Sequence, residues 1–230
     1  MKRILLKISG EALSSETKTI DSDQAQKLSE MITKIQKAGV ELVIVLGWWN
    51  IYRGSKLIQA WVDPADSHNM SMLSTVFNSV TLKNFLEKQG VESIILDALG
   101  VEFLEKYSAI KAREAIKSWK IVICSSGTGT PFFTTDTTGV LRALETHCEA
   151  MIKLTKVDWV YDSDPMVNPD AQKIDIISYD DFIAQDLKVL DQTGIIMARD
   201  NKLPLYVTRL DDIESVMTII RGGKSGTKIS

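Results

Sequence analysis

One segment of the sequence combines several residue types that suit nucleotide binding. Residues 125–136 (SSGTGTPFFTTD) contain two glycines, six hydroxyl side chains, two adjacent phenylalanines and a final aspartate. Small residues let backbone N–H groups approach a phosphate, and a phenylalanine pair can form the wall of a base pocket. The closing carboxylate, Asp136, can orient cations around a transferring group. We therefore predict that this segment binds a phosphorylated acceptor, with an ordinary surface loop as the alternative.

A cation and a small-residue turn come together near the start of the chain. Lys7 ends an apolar run and is followed by Ile8, Ser9 and Gly10. A lysine at the end of a strand can neutralise a β- or γ-phosphate, while small residues beside it let backbone N–H groups come close. A solvated lysine at a strand end is the alternative.

A third segment, residues 47–54 (GWWNIYRG), carries a second candidate phosphate ligand. Arg53 is placed to clamp a phosphate through two parallel hydrogen bonds. Trp48 and Trp49 conflict with that role, because a phosphate loop presents backbone amides, whereas an indole adds bulk and a single donor.

A fourth segment, residues 153–165 (KLTKVDWVYDSDP), contains a hydroxyl, aromatic side chains and spaced carboxylates. Such a segment can hold the adenine and ribose of a donor nucleotide. An acidic surface turn that ends at Pro165 explains the same residues.

Apolar runs alternate with stretches of helical periodicity, which is typical of an α/β protein with a mostly parallel sheet. Ligands of such sheets bind outside the carboxyl ends of the strands, where all four segments belong. Strands are predicted at 3–8, 41–46, 93–96, 120–124, 151–154, 205–208 and 216–220. Helices are predicted at 22–38, 70–89, 111–117, 138–148, 179–186 and 192–201. The last residues are predicted to form a turn and a short final strand or a loose tail.

The length of 230 residues allows one or two domains, and a single domain spanning residues 1–230 is the simpler interpretation. The composition, 44% apolar and 25% charged residues, is ordinary for a globular protein. A net charge of −3 gives no basic surface for nucleic acid. The N-terminal apolar run is too short for a signal sequence or a membrane span, so we expect a cytoplasmic protein. Cys124 and Cys148 lack metal-ligand spacing and are predicted to be buried free thiols, in keeping with a reducing compartment.

Five motifs, KISGEAL, GxxNIYRG, GTGTPFFTTD, TKVDxVYDSDP and MARDNKLP, occur in this order along almost the whole chain. Together they resemble bacterial UMP kinases of the amino-acid-kinase family. Within that family, PFFTTD separates UMP kinases from relatives that phosphorylate carboxylates or carbamate. The resemblance implies a three-layer α/β/α sandwich around a mainly parallel sheet, a homohexamer, and ATP-dependent phosphorylation of UMP to UDP in pyrimidine nucleotide biosynthesis.

The resemblance also implies roles for individual residues. Catalytic roles fall to Lys7, Arg53 and Asp136, and Lys153 and Lys156 are weaker candidates for a second catalytic cation. Residues implied to contact ATP are Lys7, Ile8, Ser9, Gly10, Trp49, Arg53, Thr155, Tyr161 and Asp164. Residues implied to contact UMP are Trp48, His68, Thr128, Gly129, Thr130, Pro131, Phe132, Phe133, Thr134 and Thr135. Mg²⁺ is expected to bridge the donor phosphates, and no metal site made by protein ligands alone is expected.

One departure from the family pattern concerns the ribose of UMP. The family usually places an aspartate fifteen residues after Arg53, where this chain has His68. Asp66 lies two residues earlier, so either the loop shifts or the contact is lost. A solvated loop histidine is the simpler interpretation of His68.

The second departure concerns all five tryptophans, which stand where the family pattern has glycine: Trp48, Trp49, Trp61, Trp119 and Trp159. With glycine at about 7% of residues, five coincidences have a chance of roughly one in a million. We hypothesise that these five positions are encoded by UGA codons, which the organism reads as glycine. Genuine tryptophans would instead favour a non-catalytic nucleotide sensor or scaffold of the same fold, and a kinase with another phosphate or carboxylate acceptor is a further alternative.

Overall fold

The computed structural model describes residues 1–51, 61–156, 158–162, 168 and 170–230. Helices in this part of the chain are α1 (Ser22–Lys37), α2 (Pro64–Lys88), α3 (Ala109–Lys117), α4 (Thr135–Glu145), α5 (Tyr179–Ala184), α6 (Gln192–Asp200) and α7 (Ile213–Ile220). Strands are β1 (Arg3–Ile8), β2 (Glu41–Leu46), β3 (Ser93–Asp97), β4 (Glu105–Lys106), β5 (Ile121–Ser125), β6 (Ala150–Thr155), β7 (Val160–Tyr161), β8 (Lys173–Ile174), β9 (Ile176–Ile177), β10 (Leu205–Arg209) and β11 (Thr227–Ile229). A short 3₁₀ helix, Gly10–Leu13, follows β1.

Nine of these strands form one sheet, in the order β4-β3-β5-β2-β1-β6-β10-β11-β9. Every neighbouring pair in it is parallel except β10 and β11, while β7 and β8 form a separate antiparallel ribbon. The central strands β1, β2 and β5 are apolar along most of their length because they are buried on both faces. The carboxyl ends of β1, β2, β5 and β6 therefore lie at one edge of the sheet.

Two hydrophobic cores, one on each face of the sheet, make the fold a three-layer α/β/α sandwich. One core joins Ile4 and Leu6 of β1 to apolar residues of α1, α2 and α7. The other joins Leu5 of β1 to α3, α4, α5 and α6. Successive β1 side chains alternate between the two cores, as the period of a strand requires. The predicted fold class is thus confirmed.

The prediction of a strand at 216–220 is wrong, because these residues belong to α7. Val216, Ile219 and Ile220 are buried, and their spacing matches one face of a helix. Asp212 caps this helix by accepting a hydrogen bond from the backbone N–H of Ser215 at 2.9 Å. A short apolar run does not by itself separate a buried strand from a buried helix.

Helix starts are the other main difference from the predicted elements. α2 begins at Pro64, six residues before the predicted start, with Asp63 as its cap. α4 begins at Thr135, three residues before the predicted start, with Thr134 as its cap. Both helices start with polar residues that an apolar pattern does not detect, although each cap is a residue type typical of that position.

Cys124 and Cys148 are buried and free, as predicted. Burial raises the pKa of both thiols to about 12, which leaves them protonated at neutral pH. None of the described helices is both long and apolar enough to cross a membrane.

Candidate active site

A cleft of about 530 Å³ opens at the carboxyl edge of the sheet. Its walls come from the ends of β1 and β6, the loop after β2, the start of α4 and the segment before α6. The lining residues include Lys7, Trp48, Trp49, His68, Phe133, Thr134, Thr135, Asp136, Lys153, Leu190 and Asp191. Segments that are far apart in the sequence therefore meet in one place, where open α/β sheets bind ligands.

Two lysines and one carboxylate form the charged centre of the cleft. Lys7 and Lys153 are register partners on the neighbouring parallel strands β1 and β6. The Lys7 ammonium lies 2.8 Å from Oδ1 of Asp136, and the Lys153 ammonium lies 2.7 Å from Oδ2. Lys153 also donates to the backbone carbonyl of Val189. One carboxylate thus holds two ammonium groups side by side.

Burial and charge act in opposite directions on this cluster. Burial alone would raise the pKa of Asp136, but the two ammonium groups, Lys7 first, outweigh it and hold that pKa below the usual range. Burial and the like charge of Lys7 lower the pKa of Lys153, although the Asp136 carboxylate opposes the change. Two cations face one anion, so the cluster has a surplus positive charge that suits a phosphate ligand.

Asp136 owes its position to the start of α4. The Thr134 hydroxyl caps this helix by accepting hydrogen bonds from the backbone N–H groups of Asp136 and Thr137, at 3.0 and 3.4 Å. Asp191, the cap of α6, accepts from the Thr137 backbone N–H at 3.0 Å, from the Thr137 hydroxyl at 2.7 Å and from the Gly194 N–H at 2.8 Å. Thr134 also donates to Asp191. Two helix N-termini, both favourable for anions, therefore meet beside the lysine pair.

The loop after β2 packs directly against the turn after β1. The backbone N–H of Gly47 donates to the Ile8 carbonyl at 2.7 Å. A Cβ added at Gly10 would lie 2.4 Å from Asn50 Oδ1 and 2.6 Å from the Gly47 carbonyl, so only glycine permits this approach. Asn50 and Asn78 exchange side-chain hydrogen bonds of 2.9 and 2.8 Å, and Asn78 also donates to the Gly47 carbonyl at 2.7 Å. The backbone of this loop is therefore fixed.

Trp48 and Trp49 extend from that fixed loop into the cleft. Their rings stack with centroids 4.7 Å apart and an interplanar angle of 13°. Trp49 is 55% exposed, and both residues line the same cleft as Lys7 and Asp136. The two indoles thus occupy space next to the charged centre.

The loop after β5 lies on the other side of the cleft and is held by buried polar contacts. Ser125 donates to Asp97 at 2.8 Å, Ser126 donates to the same carboxylate, and the Ser126 backbone N–H donates to the Thr75 hydroxyl at 2.8 Å. Burial would raise the pKa of Asp97, but hydrogen bonds from Ser126, Val101 and Ser125 lower it overall.

Glycines let this loop turn back along the protein surface. Gly127 and Gly129 have φ values of +56° and +78°, and a Cβ on Gly129 would lie 2.9 Å from the Ala98 carbonyl. Phe132 is 67% exposed and Phe133 is 45% exposed, so both rings are accessible to a ligand. The Phe132 ring lies 5.0 Å from the ring of His68.

The structure brings most of the predicted residues together but leaves others apart. The cleft and the recess adjoining it include Lys7, Trp48, Trp49, His68, Thr130, Phe133, Thr134, Thr135 and Asp136. Ile8, Ser9 and Gly10 form the turn beside them, whereas Thr128, Gly129, Pro131 and Phe132 belong to the loop without lining the cleft. Thr155 ends β6, and Tyr161 lies on the separate β7–β8 ribbon, so neither is in the cleft lining. Arg53 and Asp164 lie outside the described residues.

Three details of the sequence-based assignment change. His68 lies in the first turns of α2 and lines the cleft, so its interpretation as a solvated loop residue is wrong, and Asp66 is exposed on the same helix away from the lining. Lys153 joins the charged centre, whereas Lys156 pairs with Glu11 at 3.1 Å near the surface. The second cation next to Asp136 is therefore Lys153.

Sequence reasoning missed Asp97, Asn78 and Asp191. Asp97 directly follows a buried run, and Asp191 precedes a helical stretch as caps do, so both carried a detectable signal. Asn78 lies inside a long helix, and its partner Asn50 is 28 positions away. Nothing local in the sequence marks that pair.

Residues 2–209 match the amino acid kinase family. The chain belongs to that family. It is 41% identical to the uridylate kinase of Wolbachia sp. subsp. Brugia malayi and 40% identical to that of Anaplasma phagocytophilum, in each case over 99% of this chain and at least 93% of the relative. The similarity to uridylate kinases therefore extends along the whole chain and covers the segments that form the charged centre.

Solved structures show the same likeness. The UMP kinase from Bacillus anthracis matches with a TM-score of 0.95 and 32% identity, covering 100% of this chain and 96% of that chain. The UMP kinase from Ureaplasma parvum matches with a TM-score of 0.91 and 34% identity, covering 100% and 98%. These similarities agree with the resemblance inferred from the five sequence motifs.

Proposed function

We propose that the protein transfers the γ-phosphoryl group of ATP to UMP, giving UDP and ADP. The observation that carries the proposal is the charged centre, Lys7, Asp136 and Lys153, beside the loop of residues 125–136. Full-length similarity to uridylate kinases supports the substrate pair. The same similarity favours an enzyme over a non-catalytic scaffold. It also favours a nucleotide acceptor over a carboxylate acceptor.

The reaction requires little covalent chemistry from the protein. An oxygen of the UMP phosphate attacks the γ-phosphorus, the bond from that phosphorus to the β–γ bridging oxygen breaks, and ADP leaves. A phosphate monoester has its second pKa near 6, so the acceptor is already an anion at neutral pH and no general base is needed. Positioning and charge neutralisation supply most of the rate enhancement.

The charged centre supplies that neutralisation. Lys7 keeps one N–H toward Asp136, and Lys153 keeps one toward Asp136 and one toward the Val189 carbonyl. Each ammonium can therefore direct at least one remaining N–H toward the transferring group. Because Asp136 stays ionised, it holds the two ammonium groups together against their mutual repulsion. We assign Asp136 the role of organising the two cations, with Arg53 as a further phosphate ligand predicted from the sequence.

The two nucleotides are assigned to opposite sides of the cleft. Ile8, Ser9 and Gly10, together with residue 49, are assigned to the ATP phosphates, with Thr155, Tyr161 and Asp164 toward its nucleoside. UMP is assigned to residue 48, to His68, and along residues 128–135. His68 supports this assignment because it lines the same cleft and recess as Trp48 and Phe133.

Mg²⁺ fits this site as a companion of ATP. Asp136 has both oxygens paired with lysines, and Asp191 accepts from Thr137 and Gly194, so neither carboxylate is available as a simple ligand. In the described residues, no group of three or more His, Cys, Asp or Glu side chains could hold a metal ion. Magnesium would therefore be held chiefly by the donor phosphates, where it neutralises their charge.

The test is an acceptor panel. ADP release from ATP and Mg²⁺ is measured with UMP, CMP, carbamate and no acceptor. We expect release to depend on UMP. Asp136→Asn should lower kcat about 10³-fold, because the two lysines lose their shared anion, while the exposed control Glu102→Gln should keep wild-type activity. UMP-independent release, or an Asp136→Asn variant as active as the control, would contradict the proposal.

We also propose a homohexamer, in keeping with the family resemblance. α2 exposes Met70, Leu73 and Phe77 along one side, at spacings of three and four residues. Such an apolar stripe suits contact with a second copy. Phe77→Asp should shift the mass measured by light scattering to a smaller species, and the control Asn201→Asp, at the exposed end of α6 on the opposite face of the sheet, should not. A wild-type monomer would contradict the hexamer. A cytoplasmic location is proposed from the same resemblance.

A further inference from the structure

Tryptophan adopts a glycine conformation at position 119. α3 ends at Lys117, and Trp119 follows with a φ of +62°. Its N–H donates to the Ile116 carbonyl at 2.9 Å, and the Lys120 N–H donates to the Ala115 carbonyl at 3.0 Å. This pair of hydrogen bonds defines the Schellman helix end, whose left-handed residue is usually glycine because a Cβ is disfavoured there. His147, Asp186 and Lys202 take the same conformation at the ends of α4, α5 and α6, but a residue as bulky as tryptophan is an outlier in it. The Trp119 side chain is 47% exposed, so burial of the ring is incomplete and offsets only part of the strain.

A second observation comes from the cleft. Trp48 and Trp49 stack on each other beside Lys7 and Asp136. A phosphate held next to two ammonium groups also needs backbone N–H groups within reach, and glycine is the residue that gives closest access to them. The indole pair fills that space and adds no charge. Tryptophan at these positions therefore opposes the ligand that the rest of the cleft suits.

The other tryptophans are also in unusual environments for this residue. Trp61 is 81% exposed. Trp159 has a buried indole N–H with no hydrogen-bond partner among the described residues. A tryptophan usually buries its ring and pairs its N–H. Unfavourable surroundings are thus common to tryptophans in four separate segments of the chain.

We infer that glycine, not tryptophan, occupies positions 48, 49 and 119 of the active protein. One reassigned codon explains all of them: UGA is read as tryptophan in some genetic codes and as glycine in others. The same reassignment converts positions 61 and 159 and raises glycine from 13 to 18 residues (13 + 5). At positions 48 and 49 the inference rests on the proposed kinase function, whereas at position 119 it rests on backbone geometry alone.

The first experiment separates the geometry from the activity. Trp119→Gly is made alone in the tryptophan form, far from the cleft. We expect its melting temperature to rise by about 2–4 °C, because the left-handed conformation costs glycine nothing. Phe103→Gly, at a residue that is 74% exposed and has no positive φ, is the matched control and should bring no such rise. An unchanged or lower melting temperature for Trp119→Gly would overturn the inference at that position.

The second experiment tests the cleft. The double variant Trp48→Gly/Trp49→Gly should raise kcat/KM for ATP at least 100-fold over the tryptophan form. Equal activity of the two forms would overturn the inference for the cleft. If both forms fold and neither releases ADP with UMP, while Trp119→Gly is stabilised, the proposed function fails and the glycine assignment at 119 stands. Peptide masses of the native protein decide directly, since tryptophan masses at these positions would end the idea.

An independent observation concerns the loop of residues 125–136. Arg142 of α4 is only 5% exposed, and its guanidinium donates to the Gly127 carbonyl at 3.1 Å and to the Glu145 carboxylate at 2.8 Å. The guanidinium also lies 3.7 Å from the centre of the Tyr107 ring, and Tyr107 donates to Glu145 at 2.6 Å. A buried, fully oriented arginine thus holds the residue at which the loop turns.

We propose that Arg142 is a positioning residue for the acceptor, which again rests on the proposed function. Arg142→Met should raise KM for UMP about tenfold and leave kcat and KM for ATP within threefold. Arg142→Lys should not restore the KM for UMP. An ammonium lacks the planar fork that lets the guanidinium bond to Gly127 and Glu145 while it stacks on the Tyr107 ring. An unchanged KM for UMP, or equal losses toward both substrates, would overturn the role. Wild-type activity without UMP dependence would instead count against the proposed function.

Discussion

The two loops that face each other across the cleft are built in different ways. The loop after β5 is anchored by buried side-chain hydrogen bonds to Asp97 and Thr75, and its left-handed residues include two glycines together with Ser126 and Phe132. The loop after β2 is anchored by the Asn50–Asn78 pair and by contact with Gly10, yet it carries two large rings. Both backbones are fixed, so the loops differ in their side chains. The difference shows that access to the cleft depends on the size of the loop side chains as well as on a fixed loop backbone.

Among these comparisons the largest effect is expected at the charged centre, where Lys153 of β6 and Lys7 of β1 both pair with Asp136. Lys153→Met should lower kcat about 10²–10³-fold, because one of the two cations beside Asp136 is lost. Lys156→Met, three residues on and paired with Glu11 at the surface, is the matched control and should lose less than threefold. Steady-state kinetics with both substrates would measure the ratio. Equal losses for the two variants would mean that the charged centre is not where catalysis occurs.

Alanine at one glycine on each side should separate the substrates. Gly10→Ala places a Cβ against the Gly47 carbonyl, and Gly129→Ala places one against the Ala98 carbonyl at a φ of +78°. We expect about a tenfold rise in KM for ATP from the first change and for UMP from the second. Each variant serves as the control of the other. A rise in the same constant from both would show that the two sides do not divide the substrates.

The Asn50–Asn78 pair, which fixes the loop after β2, should contribute measurably to the free energy of unfolding. Asn78→Ala leaves Asn50 Oδ1 and the Gly47 carbonyl without the donor that Asn78 supplies, at a cost of about 1–3 kcal/mol in the free energy of unfolding. Asn84→Ala, on the exposed side of the same helix, should cost under about 0.5 kcal/mol. Urea unfolding measures both. If the variants lose the same stability, the pair does not fix the loop.

The smallest effect is expected in the acid range. The folded-state pKa of Asp136 lies below its unfolded value of about 3.9, so the unfolded chain binds more protons between the two values. The stability contributed by Asp136 is therefore fully present above about pH 4 and is lost as the pH falls through the lowered pKa. The difference in unfolding free energy between wild type and Asp136→Asn should narrow below pH 4. A difference that stays constant from pH 6 to pH 3 would contradict this linkage.

The sheet and most of the site could be predicted from the sequence because their signals are local. Six buried strands appear in the sequence as apolar runs. The loop of residues 125–136 combines glycines, hydroxyl side chains and a phenylalanine pair, which an ordinary surface loop rarely does. Residues 216–220 are wrongly predicted as a strand, because four apolar residues and one threonine fit both a buried strand and a helix face. Lys153 and Lys156 were not separable, because only strand register decides which one faces Asp136. Asn78 is not predictable from the sequence, because its partner, Asn50, is distant along the chain.

The register between β1 and β6 has one more consequence. Lys7 and Lys153 are direct partners across two parallel strands, so a shift of one residue would turn one of the lysines to the opposite face of the sheet. Such a mispaired chain could keep its secondary structure and much of its compactness. Phosphoryl transfer would nevertheless disappear. Recovered activity after refolding would therefore report whether the central strands had paired correctly, which circular dichroism does not distinguish.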